Sequence, residues 1–197
     1  MAQVAYPHLG VYFVSREPVR SPAPLVAFAR VRAALEEKLP GVKLAGSLSA
    51  STQNRFAIAA CPGGLGRAPE SALCEVYEYD AVRYQAMVIG LVEPPPETPV
   101  HWIARRVNPK ATLVAVLPSP PPLSFSVKVQ PAVRGYLGDT NTLLALGKIL
   151  KGSATAAVEG VGLVAVADDA PALARSIAAA ASKAPAKKPK PRAGRKP

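Results

Sequence analysis

Residues 93–122 read EPPPETPVHWIARRVNPKATLVAVLPSPPP, and this stretch decides the fold. The three consecutive prolines end any preceding strand, because proline has no backbone N–H for a sheet ladder. Pro99 fits the first turn of a helix, in which Val100, Ile103 and Val107 recur at helical spacing. The apolar run ATLVAVL, residues 111–117, has the length and composition of a strand buried on both faces. The stretch therefore predicts a helix packed on a sheet, followed at once by a central strand.

Glu97 and His101 are polar residues at the start of this predicted helix, four positions apart. Residues at this spacing project from one side of a helix, and we expect Arg105 and Arg106 to point elsewhere. One interpretation is a buried Glu–His pair that holds the helix start to the sheet. The alternative is a residual catalytic role for these two residues.

The remaining segments alternate between strand and helix patterns. Helices are predicted from a Ser21 cap to Lys38, from a Thr140 or Asn141 cap to Gly152, and after Asp168-Asp169. In the first of these, Leu25, Phe28, Ala29, Arg32 and Leu35 are expected to face inward. GSLSAST (46–52) is predicted to be a loop of small residues and CPGGLG (61–66) a tight turn. Strands are predicted at 11–15, 55–60, 73–79, 85–92, 124–129, 155–158 and 162–167. This order of elements predicts an α/β domain whose sheet has helices on both faces.

Length and composition favour one domain of the chain's 197 residues, 49% of which are hydrophobic. No apolar run approaches the roughly 20 residues that span a bilayer, and the N-terminus lacks a signal-peptide pattern, so we expect a cytoplasmic protein. Cys61 and Cys74 have no metal-ligand spacing; we expect two buried thiols, with a lone disulfide as the alternative. Abundant proline and scarce Asn and Gln are typical of thermophile proteins.

Positive charge is concentrated at the C-terminus. The formal net charge is +11, but only +4 belongs to residues 1–182. The basic tail, residues 183–197, has no acid and seven cations: Lys183, Lys187, Lys188, Lys190, Arg192, Arg195 and Lys196. Interleaved with Pro, Ala and Gly, such a segment cannot form a core and is predicted to stay extended, with a reach of roughly 45 Å along a polyanion. A solubilising tail without a partner is the alternative.

Several short segments resemble the class II aldolase/adducin family, and they occur in the family's order over most of residues 23–180. GSLS at 46–49 resembles its Gly-Asn-x-Ser loop, CPGG at 61–64 its Thr-Pro-Ser-Gly phosphate loop, and PPPE at 94–97 its Ser-Ser-Glu segment. Glu97, His101 and Pro109 match the Glu, His and Pro of its central motif. The resemblance implies a three-layer α/β/α sandwich with a central mixed, largely antiparallel sheet. The apolar run at 11–15 separately predicts that residues 1–20 form an N-terminal arm or strand.

The resemblance also implies a metal site, but its ligand positions hold other residues. Leu117, Pro118 and Ser119 stand where the family has His-x-His, and Gly160-Val161 replaces the Asn-His that supplies a third histidine. The phosphate loops lose their hydroxyl groups as well, at Cys61, Gly63, Pro95 and Pro96. A catalytic divalent metal needs about three imidazole or carboxylate ligands, so we expect no metal and no cofactor.

These observations favour a non-catalytic class II aldolase-like scaffold that binds RNA through its basic tail, as a component of a ribonucleoprotein such as the ribosome. Two alternatives remain open. One is a metal-dependent aldolase or epimerase acting on a small sugar phosphate, with ligands supplied elsewhere or by a neighbouring subunit. The other is a protein-interaction module, in a complex with other proteins or with further copies of the chain.

Overall fold

The computed structural model describes residues 8–118, 129–130 and 139–182. The predicted strand at 124–129 lies outside these residues except for Val129. The basic tail lies entirely outside them. The described helices are α1 (Ala23–Lys38), α2 (Thr98–Val107), α3 (Thr140–Leu150) and α4 (Ala170–Ser182), with a 3₁₀ turn at Glu70–Ala72. The described strands are β1 (Gly10–Ser15), β2 (Gly46–Thr52), β3 (Arg55–Cys61), β4 (Cys74–Asp80), β5 (Gln85–Gly90), β6 (Leu113–Leu117), β7 (Val129–Gln130), β8 (Thr155–Val158) and β9 (Gly162–Ala167).

Within the described residues, all the strands belong to one sheet, in the order β1-β5-β4-β3-β2-β6-β9-β8-β7. The edge pairs β1–β5 and β7–β8 are parallel, and the remaining pairs are antiparallel. Helices α1 and α4 pack together on one face, and α2 and α3 pack together on the other. The α/β class, the three layers and the mixed, largely antiparallel sheet are thereby confirmed.

Strand β6 lies at the centre of the molecule, as its apolar sequence predicted. Val114 and Val116 belong to the core under α2 and α3, while Leu113, Ala115 and Leu117 belong to the core under α1 and α4. All five side chains are buried. Side chains of a strand alternate between faces, so this strand contributes to both cores at once.

The prediction of a loop at residues 46–52 is wrong, because GSLSAST forms β2, paired on both sides with β3 and β6. Leu48 and Ala50 face the α1/α4 core. Ser47 and Ser49 face α2 and are also buried. Two buried hydroxyl groups are tolerated there because α2 supplies hydrogen-bond partners for them.

Three helix details also differ from the sequence predictions. Ser21 gives α1 no side-chain cap, and the buried residues of that helix are Pro24, Phe28, Val31 and Leu35, so Ala29 and Arg32 do not face inward. Asp139 caps α3 in place of Thr140 or Asn141, accepting hydrogen bonds from the N–H groups of Asn141 and Thr142. Its carboxylate oxygen accepts from both N–H groups, and its negative charge suits a helix N-terminus.

Cys61 and Cys74 are both buried and both free, as expected. No helix within residues 8–118 or 139–182 is long and apolar enough to cross a membrane.

Candidate functional site: a buried polar ladder

Helix α2 and strand β2 face each other through polar rather than apolar side chains. They lie side by side and run in the same direction. Four helical residues advance about 6.0 Å and two strand residues about 6.6 Å, so the two spacings stay nearly in register. We call this set the polar ladder. Its members are Glu97 at the N-cap of α2, His101 and Arg105 of α2, and Ser47, Ser49 and Ser51 of β2.

His101 is the centre of the polar ladder and is fully buried. Its Nε2 lies 2.9 Å from Ser47 Oγ, and its Nδ1 lies 2.8 Å from Ser49 Oγ. Burial lowers the pKa of His101 well below its usual value, and the nearby charge of Arg105 lowers it further. The imidazole is therefore neutral, with one nitrogen donating and the other accepting.

The two ends of the polar ladder fix the direction of its hydrogen bonds. Arg105 can only donate, and its Nη2 donates to Ser49 Oγ at 2.9 Å. At the other end Ser47 hydrogen-bonds the Glu97 carboxyl, which only accepts when it is ionised. With Glu97 ionised, the single hydroxyl proton of Ser47 goes to the carboxylate, so His101 donates from Nε2 to Ser47 and accepts at Nδ1 from Ser49. The result is a single directed chain from a guanidinium to a carboxylate.

The charged ends of this chain differ in their surroundings. Burial raises the pKa of Glu97, and the hydrogen bond from Ser47 opposes that rise. Burial lowers the pKa of Arg105 to about 10, so it remains a cation at neutral pH. Besides Ser49, the Arg105 guanidinium donates to Ser51 Oγ and to the carbonyl oxygens of Ala111 and Thr112.

The polar ladder corrects and extends the sequence predictions. Glu97 and His101 do hold the start of α2 to the sheet, but each does so through Ser47 of β2. Arg105 does not point elsewhere: at four residues from His101 it continues the same stripe, whereas Arg106 is exposed. The i, i+4, i+8 spacing of these three polar residues could have predicted that they share one face of the helix. The serines were missed because their segment was assigned to a loop.

The residues present do not fit a metal ion. Every His, Cys, Asp and Glu of this chain lies within the described residues, and no three of them form a group that could hold a metal there. Both ring nitrogens of His101 are engaged by serines, and Leu117 is buried at the end of β6. The backbone of Gly162 packs so closely on that end that an added Cβ would lie 2.0 Å from the Leu117 carbonyl oxygen.

The predicted phosphate loop, CPGGLG, is a turn after β3, as expected. Gly64 and Gly66 have φ values of 120° and 77°, which favour glycine. At Gly66 a Cβ would lie 2.3 Å from the carbonyl oxygen of Phe28 in α1. This turn therefore serves the packing of α1 on the sheet.

The fold is a class II aldolase-like α/β/α sandwich. The solved structures that it resembles belong to the class II aldolase superfamily. They include L-fuculose 1-phosphate aldolase, with a TM-score of 0.57, 14% identity and 84% of this chain and 85% of that chain covered. YgbL from Escherichia coli has a TM-score of 0.54 and 16% identity, with 80% and 86% covered. The sugar-phosphate aldolase from Thermotoga maritima has a TM-score of 0.53 and 12% identity, with 80% and 91% covered.

At these identities the likeness concerns the fold alone. No protein-family model matches the chain, and no curated protein sequence matches it.

Proposed function

We propose that this chain is a non-catalytic class II aldolase-like scaffold that binds RNA through its basic tail, within a cytoplasmic ribonucleoprotein such as the ribosome. The observation that carries the proposal is the division of charge. Residues 183–197 hold seven cations and no acid, whereas the rest of the chain is nearly balanced. A basic, proline-rich segment that cannot build a core can follow a phosphate backbone without reading its bases.

The polar ladder supports the non-catalytic part of this proposal. His101 is neutral, buried and hydrogen-bonded at both nitrogens, so it has no lone pair left for a metal or a substrate. Its neighbours in the polar ladder bond mainly to one another and to the backbone of the two residues before β6. Such a closed network rigidifies the contact between helix and sheet.

Sedimentation with and without ribonuclease tests the RNA-binding part. Full-length protein in a lysate of its own cells should sediment with large particles and return to the light fractions after ribonuclease treatment. A variant in which the seven tail cations are Gln should stay in the light fractions throughout. Co-sedimentation that survives the nuclease would instead support the protein-interaction module.

The aldolase alternative is favoured by one specific observation. Glu97 stands at the family's catalytic glutamate position, and burial raises the pKa of its carboxyl, as suits a general acid or base.

Metal analysis separates this alternative from the scaffold. Purified protein should contain far less than one equivalent of zinc, manganese or iron per chain, and should not cleave sugar phosphates. A stoichiometric metal that is lost on Glu97→Gln or His101→Ala, but retained on Glu93→Gln at an exposed site before α2, would contradict the scaffold and support the enzyme.

A further inference from the structure

A cleft at the C-terminal half of α2 is lined by arginines and aromatic rings. It has a volume of about 430 Å³ and lies where the C-terminal half of α2 faces β3 and β4. We call it the basic–aromatic cleft. Its arginines and aromatic residues include Arg55, Phe56, Tyr77, Trp102, Arg105 and Arg106. Its volume lies within the range of small-molecule sites, roughly 300–1,000 Å³.

Arg105 gives this cleft an uncompensated positive charge. Its guanidinium donates only to neutral acceptors, the hydroxyls of Ser49 and Ser51 and two backbone carbonyl oxygens, and its buried Nε has no hydrogen-bond partner. All thirteen acidic side chains of the chain lie within the described residues, and none of them forms an ion pair with Arg105. A buried charge without a counter-charge is costly, so an anion in the cleft would offset that cost.

Two further cations surround Arg105. Arg106 is exposed, and Arg55 approaches Glu75 only at 3.8 Å, with more than a third of its side chain exposed. Glu78 also lines the cleft as its one carboxylate. With three arginines against one glutamate, the cleft is cationic and suits a phosphate.

The same arginines lie on aromatic rings. Arg55 lies 3.9 Å above the ring centre of Tyr77, and Arg106 lies 4.9 Å above that of Trp102. Tyr77 is 44% exposed. Planar bases stack on aromatic rings and on guanidinium planes, and alternating rings and cations are typical of single-strand binding surfaces.

We propose that the basic–aromatic cleft binds one nucleotide unit, either free or within single-stranded RNA, with its phosphate paired to the arginines and its base stacked on the rings. The biological context rests on the proposed RNA-binding function, but the site itself is independent of the basic tail. It would give the folded domain an RNA contact of its own.

Trp102 makes this proposal directly testable, because it is the only tryptophan of the chain and the basic tail has none. The full chain is titrated with uridine 5′-monophosphate, ribose 5-phosphate, a single-stranded U-rich hexamer and a duplex RNA, and tryptophan fluorescence is followed. Free tryptophan amide corrects for absorption by the nucleotides. The monophosphate and the hexamer should quench Trp102 saturably, while ribose 5-phosphate and the duplex should not. If the monophosphate quenches Trp102 and the hexamer does not, the site binds free nucleotides. If both quench it, the site binds a nucleotide unit either free or within single-stranded RNA.

Two variants test which side chains hold the nucleotide. Arg106→Gln and Tyr77→Ala should each weaken binding at least about fivefold, the low end of the cost of losing one stacked base. Their matched controls are Arg30→Gln, exposed on α1 across the sheet, and Tyr12→Ala, 56% exposed on β1; both should bind like the parent.

The proposals for the cleft and for the basic tail can be contradicted independently of each other. RNA binding that leaves Trp102 fluorescence unchanged would overturn the cleft and leave the tail intact. Equal quenching by ribose 5-phosphate, or unchanged affinity in both cleft variants, would also overturn it. Nucleotide quenching in a variant whose seven tail cations are Gln supports the cleft, and unchanged RNA affinity in that variant overturns the tail.

Discussion

His101 couples the stability of the fold to pH. It is neutral in the folded state, and its pKa there lies well below the value near 6.5 that it regains on unfolding. As the pH falls below 6.5 the unfolded chain binds a proton that the folded chain does not, so this contribution to stability is present above pH 6.5 and is lost as the pH falls. The free energy of unfolding should fall towards a limit of about 1.4 kcal/mol per pH unit.

Denaturant unfolding at pH 7, 6 and 5 measures this slope. His101→Gln is the matched variant, because an amide can still donate to one serine and accept from the other but does not titrate. It should fold with a much flatter dependence over this range. The raised pKa of Glu97 changes the free energy of unfolding with pH in the opposite direction. Glu97 is present in both proteins, so the comparison isolates His101. A parent and a variant with equal slopes would contradict this, because they would show that His101 titrates in the folded state as it does in the unfolded state.

Strand β6 determines whether the sheet forms at all. Val116 is fully buried, and Asp at this position would place an unpaired charge in the core at a cost of several kcal/mol. Val116→Asp should therefore leave the chain unfolded by circular dichroism, whereas Val82→Asp, at a site that is 87% exposed, should unfold like the parent. A folded, soluble Val116→Asp protein would show that the central strand is misassigned.

Gly46 permits the close approach of β2 to β6. An added Cβ would lie 2.2 Å from the carbonyl oxygen of Val116, which belongs to backbone and cannot move aside cheaply. Gly46→Ala should lower the free energy of unfolding by about 2 kcal/mol or more, as overpacked cores do. Gly63→Ala, where a Cβ would meet nothing within 4 Å, is the control and should be close to neutral. Equal stabilities of the two variants would contradict the pairing of β2 with β6.

The elements that the sequence predicted best are those whose own residues carry a clear pattern. β6 reads as a buried strand because both of its faces meet apolar helices, and α2 begins as its prolines indicate. β2 was missed because Gly and Ser are typical of loops, and only the polar face of α2 makes a strand of these residues favourable. The same long-range pairing explains why Arg105 was misplaced: its serine partners are more than 50 residues away in sequence.

At the scale of the whole molecule, the chain consists of a structural domain and a charged segment. The fold is that of class II aldolases, yet the side chains between α2 and β2 bond mainly to one another. The positive charge that distinguishes the chain lies mostly in residues 183–197, outside the described structure. We propose that the tail supplies most of the affinity for RNA.

The most direct test of this account is the salt dependence of RNA binding with and without residues 183–197. Seven cations that neutralise phosphates should give a slope near six in a plot of log affinity against log salt concentration. Removing the segment, or changing its seven cations to Gln, should lower affinity by orders of magnitude at low salt and flatten the slope, while the melting temperature stays nearly unchanged. A truncated chain that binds as tightly as the whole chain, with the same slope, would contradict the account.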